Sequence, residues 1–183
     1  DVSSGYKKVY KKTNIPGEKT NETLYSVAKS IHQSLELNQE EYFDQIINFL
    51  DVEKFAKAYA IISVFGSNTS LNYNNIRYYL NPYTLKLEPI LRNHLSKEIS
   101  ENFVIKQKIF LLLSKQTNFK DIFIKTVIDI ENNLELINKK NIEICKIYGK
   151  ICEKKFNLEK LKKNIYFLKK NQFFIQEPLE KTS

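Results

Sequence analysis

Apolar side chains recur at intervals of three and four residues along most of the chain, which is the spacing of an amphipathic α-helix. The helix after Asp51 is apolar on more than one side, which predicts that it is buried in the core and ends at Gly66. The full set of predicted helices runs from Asn21 or Thr23 through Leu35, Asn38 through Leu50, Asp51 to Gly66, Ser96 or Ser100 through Leu113, Asn118 through Leu134, Ile142 to Cys152 and Leu158 to Leu168.

Between residues 76 and 90 the spacing of the apolar side chains changes from one typical of a helix to one typical of a strand. Ile76–Leu80 is rich in strand formers, and Asn81–Thr84 (Asn-Pro-Tyr-Thr) has the chemistry of a tight turn. Leu85–Ile90 then returns as a second strand, which we expect Pro89 to stop. The pattern therefore predicts a mainly α fold with one β-hairpin (α+β).

The length of 183 residues fits one domain or one lobe of a larger one. We expect residues 1–20 to be a linker or the end of an upstream element, and residues 21–95 to form a helical core with a loop and the hairpin. Residues 96–183 are then the helical C-terminal part of the same lobe. The chain begins with Asp1 rather than Met, which predicts a fragment or a processed protein. No apolar run reaches the roughly 20 residues that a membrane span needs.

The net charge of +8 comes almost entirely from lysine, since Arg77 and Arg92 are the only arginines. Sequence-specific nucleic-acid binding usually relies on arginine, and a Lys-, Asn- and Ile-rich composition also follows from an AT-rich genome. We therefore do not expect nucleic acid as a partner. The lysines of the last helix are predicted to form a solvated face, with a patch for an acidic partner as the lesser alternative; they are Lys160, Lys162, Lys163, Lys169 and Lys170.

Cys145 and Cys152 are the two cysteines of the chain. Seven residues apart on one predicted helix, they share a face and cannot cross-link within it, so we expect both to pack in the core. This spacing leaves the redox compartment open.

The candidate functional residues begin in the polar segment Ser67–Asn75, which directly follows the predicted buried helix. That segment leads directly into the hairpin, which ends in Glu88-Pro89-Ile90. Loops fixed between a core helix and a strand hold polar side chains rigidly, which suits catalysis. Phosphotransfer sites use a comparable arrangement. An Asp in the loop orients the substrate hydroxyl, an Asn a few residues later binds metal, and an Asp at the end of the next hairpin binds metal again.

Four pieces of this stretch resemble the spore-coat protein H (CotH) kinase-like family. They are Phe49–Phe55 (FLDVEKF), Asn74–Pro82 (NNIRYYLNP), Thr84 and Lys86–Ile90 (KLEPI). The resemblance covers about a quarter of the chain closely, and its specificity lies in the order of the pieces rather than in any one of them.

The resemblance implies the C-terminal lobe of an atypical protein-kinase-like fold, with the nucleotide-gripping lobe upstream of Asp1. It implies an enzyme that uses ATP and Mg²⁺ to phosphorylate serine on coat or surface proteins. It also implies a protein at the cell surface, secreted or coat-associated, with a protein as substrate or partner.

Carried over position by position, the resemblance makes Asn75 and Asn93 the candidate metal ligands. The family's catalytic Asp falls in the loop where this chain has Asn68 and Ser70, and no acidic residue occurs between Glu53 and Glu88. Asn93 stands where the family has a metal-binding Asp, and Mg²⁺ prefers a charged carboxylate to a neutral amide oxygen. These departures favour a degenerate kinase, or pseudokinase, over an active one.

Arg77 and Glu88 are the candidate nucleotide-binding residues, and each also has a plain structural interpretation. Arg77 suits the solvated face of its strand, and Glu88 suits an ion pair with a nearby lysine. The asparagines suit turns, because asparagine tolerates left-handed backbone. The alternative function is a non-catalytic helical protein-interaction module in which the hairpin is only part of the scaffold.

Overall fold

A computed structural model describes residues 26, 46–67, 77–91, 97–99, 103, 105, 108–148 and 156–170. The described part is mainly helical with one two-stranded antiparallel hairpin, which confirms the α+β class. The predicted helix between Asn21 and Leu35 lies outside the described residues, apart from Ser26. The elements in chain order are α1 (Val52–Val64), β1 (Arg77–Leu80), β2 (Leu87–Ile90), α2 (Lys108–Leu113), α3 (Thr117–Asn132), α4 (Leu134–Tyr148) and α5 (Leu158–Lys170).

The chain divides into two compact units. One comprises residues 1–51 with 79–88, and the other comprises residues 52–78 with 89–183. Within the part of the chain that the structure describes, no helix is both long enough and apolar enough to cross a membrane.

Helix α1 is the buried helix that the sequence predicts. It begins directly after Asp51, and Gly66 follows its last turn with a φ of 63°, a left-handed conformation that glycine adopts without strain. Its buried side chains lie on several sides of the helix, so its apolar surface is covered almost all round; they are Phe55, Ala56, Ala58, Tyr59, Ala60, Ile62, Ser63 and Val64.

Aromatic rings from α1, α2 and α3 form the core around Tyr59. The Tyr59 ring lies 5.0 Å from Phe110 and 6.2 Å from Phe119 between centroids, both edge-on, and Phe119 lies 6.4 Å from Phe123. Such pairs add about 0.5–1.5 kcal/mol each to the burial of their area. Burial raises the pKa of the Tyr59 phenol well above its usual value, so the ring stays neutral in the core.

The helix predicted from Ser96 or Ser100 begins later than its apolar spacing suggests. Residues 97–99, Phe103 and Ile105 are irregular, and α2 starts at Lys108. Phe103 and Ile105 are both buried although only two residues apart, a spacing that a helix would place on different sides. The N–H of Ile99 donates to the side chain of Asn164 rather than to a helical carbonyl. At Ile99, a hydrogen bond to the distant residue Asn164 therefore takes the place of a helical hydrogen bond.

The middle helices exist as predicted, but their boundaries differ. Helix α3 starts at Thr117, so Asn118 lies inside the first turn, where its Oδ1 accepts from the N–H of Phe119 at 2.8 Å. The break falls at Asn133, whose Nδ2 donates to the carbonyl of Asp129 at 2.7 Å. Leu134 therefore begins α4 instead of ending α3, and α4 runs to Tyr148 in place of the predicted Ile142–Cys152.

The expected burial of Cys145 is confirmed, but the expectation that the cysteines are not cross-linked was wrong. Cys145 is disulfide-bonded, and no described cysteine is free. The argument against a cross-link assumed one helix through both positions, whereas α4 ends at Tyr148. Cys152, the other cysteine of the sequence, lies outside the described residues.

Helix α5 confirms the predicted last helix. Asn157 caps it, because its Oδ1 accepts from the N–H of Lys160 at 2.9 Å. Exposed lysines of α5 form ion pairs with glutamates, including Lys163 with Glu98 at 3.1 Å and Lys169 with Glu131 at 2.8 Å. These lysines lie on the solvated face that the sequence predicts.

Candidate functional site

The hairpin between Arg77 and Ile90 carries the part of the candidate site that the structure describes. Its loop is closed by the N–H of Asn81, which donates to the carbonyl of Lys86 at 2.9 Å. The N–H of Leu85 donates back to the carbonyl of Asn81 at 2.8 Å. Leu85 takes a φ of 55°, a left-handed conformation that costs an L-residue about 1–2 kcal/mol.

The Asn81 side chain joins the turn to the second strand. Its Oδ1 accepts from the N–H of Tyr83 at 2.9 Å, which forms the turn that the sequence predicts at Asn81–Thr84. Its Nδ2 donates to Oε1 of Glu88 at 2.8 Å. The half-buried Glu88 carboxylate, a predicted nucleotide-binding group, is thereby oriented by the hairpin itself.

Strand β2 also pairs with the segment that precedes α1. Leu50 and Leu87 form a parallel bridge in which the N–H of Leu87 donates to the carbonyl of Phe49 at 2.6 Å. The N–H of Asp51 donates to the carbonyl of Leu87 at 3.0 Å. Two of the sequence pieces that carry the family resemblance, Phe49–Phe55 and Lys86–Ile90, are therefore in direct contact.

The expectation that Pro89 would stop the second strand was wrong, since β2 runs from Leu87 through Ile90. Leu87 directs its N–H and C=O toward Phe49 and Asp51, away from β1. Because backbone groups alternate along a strand, Pro89 directs its nitrogen to that same outer side. Its missing N–H is therefore not needed for pairing with β1.

Tyr78 connects β1 to the aromatic core. Its ring lies 5.8 Å from the Phe55 ring, whereas the neighbouring Tyr79 is about half exposed, with 49% of its surface accessible. This alternation is the pattern expected of a strand with one covered face.

Of the six predicted site residues, Glu88 is the one whose side chain the structure describes. Arg77 opens β1, and the description of Arg77 ends at its backbone. The other four, Asn68, Ser70, Asn75 and Asn93, lie outside the described residues. Their convergence on one cleft therefore stays a prediction.

The sequence reasoning missed a buried junction at the C-terminal end of α1. Asn164 of α5 is fully buried and bonds the carbonyl of Val64 at 2.8 Å and that of Lys97 at 2.7 Å through its Nδ2. Its Oδ1 accepts from the N–H of Ile99 at 2.8 Å. A signal was present, because Asn164 stands on the apolar face of α5 between Leu161 and Leu168, where a polar side chain needs a buried partner.

Comparison of the chain with protein-family models, with curated proteins and with solved structures finds no match.

Proposed function

We propose that this chain is the helical lobe of a CotH-type protein-kinase-like fold, in a degenerate form that binds rather than transfers phosphate. The observation that supports it most is the pairing of Leu87 with Phe49 and Asp51. These residues belong to two of the motifs that carry the family resemblance, Phe49–Phe55 and Lys86–Ile90, which are far apart in the sequence. If the motifs resembled the family only by chance, we would not expect them to be hydrogen-bonded to each other.

The proposed ligand is ATP with Mg²⁺. Asn75 and Asn93 are the residues that would hold the metal ion, and Arg77 and Glu88 those that would contact the nucleotide. Bound Mg²⁺ would neutralise phosphate charge. Amide ligands offer no negative charge, so we expect metal binding to be weak.

Phosphotransfer to a protein serine also needs an acceptor for the hydroxyl proton. Asn68 and Ser70 occupy the loop where the family has its catalytic Asp, and neither an amide nor a neutral hydroxyl is a base at neutral pH. The proposal is therefore a nucleotide-responsive lobe with little or no kinase activity of its own.

The test is a melting curve with and without Mg²⁺ and ATP, for the natural chain and for Asn93→Asp. A ligand at about 100 times its Kd raises the free energy of unfolding by about 2.7 kcal/mol. We expect a Mg²⁺-dependent rise in Tm that is larger in Asn93→Asp, because the variant restores a carboxylate ligand. Asn132→Asp, which makes the same charge change on an exposed position of α3, is the matched control. Equal responses of both variants, or none in either, would contradict the proposal.

The second candidate is a non-catalytic interaction module, and α4 is the element that favours it. This helix exposes large apolar side chains: Leu136 and Ile144 are each 49% accessible and Ile147 is 78% accessible. Apolar groups left in water on one helix are typical of a protein-binding surface. If Ile147→Lys abolished binding to a protein partner while nucleotide had no effect on the natural chain, this candidate would replace the first.

We also propose that the protein works outside the reducing cytosol, at the cell surface, secreted or in a coat. The disulfide at Cys145 supports this, because disulfides persist in oxidising compartments. Trapping free thiols with an alkylating reagent in intact cells tests it directly. Alkylation of Cys145 in the native protein would contradict the proposal.

A further inference from the structure

Helix α4 exposes a stripe of four side chains along most of its length: Leu136, Lys140, Glu143 and Ile147. They follow one another at intervals of four, three and four residues, so they lie within about 60° of each other around the helix axis. Leu136 is 49% accessible and Ile147 is 78% accessible. Intervals of three and four residues are those with which two helices pack side by side.

The opposite side of α4 is the one that is buried. Leu134 and Cys145 lie about half a turn away from the stripe, and both are buried. Cys145 is also disulfide-bonded, which adds a covalent attachment on this side. The stripe is therefore a second, outward surface of the helix, and its apolar ends are left in water.

The order of side chains along the stripe is complementary to itself. It reads apolar, basic, acidic, apolar from Leu136 to Ile147. If a second α4 lies antiparallel across it, with a two-fold axis at the middle of the stripe, Leu136 faces the partner's Ile147. Lys140 then faces the partner's Glu143, and each contact occurs twice. A parallel alignment would instead place like charges opposite each other.

Lys140 and Glu143 have no ion-pair partner within the part of the chain that the structure describes. Exposed lysines elsewhere in that part do pair, as Lys163 does with Glu98. Within one helix, lysine before glutamate is the less favourable order, because the helix dipole opposes it. An antiparallel second helix gives both charges a partner and also aligns the two helix dipoles favourably.

The surface is small. Ile144 adds apolar area on one side of the stripe, and the exposed Lys139 and Lys146 lie along the other side. One helix face is smaller than the roughly 800 Å² per partner that a standard stable interface buries. We therefore expect weak association that depends on protein concentration.

We propose that the outward stripe of α4 is a self-association site, on which the α4 of a second copy of this chain docks antiparallel about a two-fold axis. The inference rests on the interaction surface given above for the second candidate function and names its partner. It does not depend on nucleotide binding.

The test is sedimentation velocity of the full chain over a range of concentrations up to millimolar. We expect the natural chain to pass from monomer to dimer. Glu143→Lys and Lys140→Glu should each raise the Kd of the dimer by about tenfold or more, because each places two pairs of like charges across the axis. Glu135→Lys makes the same charge change outside the stripe and should leave the Kd nearly unchanged.

Restoring the opposite charges tests the geometry itself. The double variant Lys140→Glu/Glu143→Lys places each charge opposite its counterpart again and should dimerise like the natural chain. The two single variants, mixed in equal amounts, should form a heterodimer. If neither the double variant nor the mixture recovered association, the proposal would be overturned.

A natural chain that stays monomeric up to millimolar concentration would also overturn the proposal. Both candidate functions would then still stand, because neither requires a second copy of the chain. A dimer that neither Glu143→Lys nor Lys140→Glu weakens would show that another surface joins the two copies, which rules out the site on α4. Circular dichroism of each variant checks that the helices are retained.

Discussion

The aromatic core around α1 and the hairpin from Arg77 to Ile90 are ordered by different forces. Phe119 and Phe123 are fully buried and contribute by removing apolar surface from water. The hairpin loop has Tyr83 almost fully exposed, at 95% accessible, and is shaped by hydrogen bonds from Asn81. The core therefore contributes most of the stability, while the hairpin presents polar groups in a defined conformation. Residues of the hairpin that take part in recognition can therefore change without unfolding the protein.

The largest effect on the free energy of unfolding is expected from a substitution in the aromatic core. Phe119→Ala should lower the free energy of unfolding by about 3–5 kcal/mol, because it removes a fully buried ring and leaves a cavity. Tyr83→Ala, at the exposed tip of the hairpin, should change it by less than about 0.5 kcal/mol. Urea denaturation of both variants measures the difference. Similar losses in the two would break the distinction between the regions.

A smaller loss is expected from the polar group that organises the hairpin. Asn81→Ala removes the hydrogen bonds to Tyr83 and Glu88 and should cost about 1 kcal/mol. The cost is limited because both partners are accessible to water. NMR chemical shifts should change within residues 77–91 and not at Phe119. Changes that spread through α3 would mean that the hairpin is part of the core's cooperative unit.

A gain is expected at Leu85, whose φ of 55° suits asparagine better than leucine. Leu85→Asn should raise the free energy of unfolding by about 0.5–1 kcal/mol, since little apolar burial is lost at an exposed side chain. Leu136→Asn, at an exposed position within α4, is the control and should not be stabilising. A destabilised Leu85→Asn protein would show that the leucine side chain contributes more than its exposure indicates.

The smallest effect concerns Glu53, on the exposed side of α1. A hydrogen bond from Lys57 and that lysine's charge lower the pKa of Glu53 below its ordinary value. A lowered folded-state pKa stabilises the protein above the unfolded-state pKa, and the gain is lost as pH falls through the folded-state pKa. Glu53→Gln should therefore lower Tm slightly at neutral pH and not at strongly acidic pH. A larger effect in acid than at neutral pH would contradict this sign.

The sequence was sufficient for the elements whose order depends on local pattern. Residue spacing and turn chemistry predicted α1 with its glycine end, the turn at Asn81–Thr84 and the helix α5. The errors occur where distant contacts decide. Ile99 bonds Asn164 instead of entering a helix, and β2 accommodates Pro89 because the proline nitrogen faces away from β1, on the side where Leu87 pairs with Phe49 and Asp51.

For the candidate site, the sequence predicted the strand on which a residue lies but not the hydrogen bonds of its side chain. The sequence correctly placed Glu88 on the second strand and Arg77 on the first. It could not predict that the Glu88 carboxylate accepts a hydrogen bond from Asn81, or that the Asn164 side chain donates to the carbonyls of Val64 and Lys97. Such bonds join residues that share no periodic pattern, so spacing carries no information about them.

Pro89 also bears on how the protein behaves at high concentration. Among the described residues, β2 pairs with β1 on one side, and its outer side is a strand edge, the kind of surface on which chains add to one another and aggregate. The Phe49–Asp51 segment occupies that edge at Leu87, and the next outward position, Pro89, has no N–H to offer an incoming strand. The hairpin thus carries its own protection against growing into a larger intermolecular sheet.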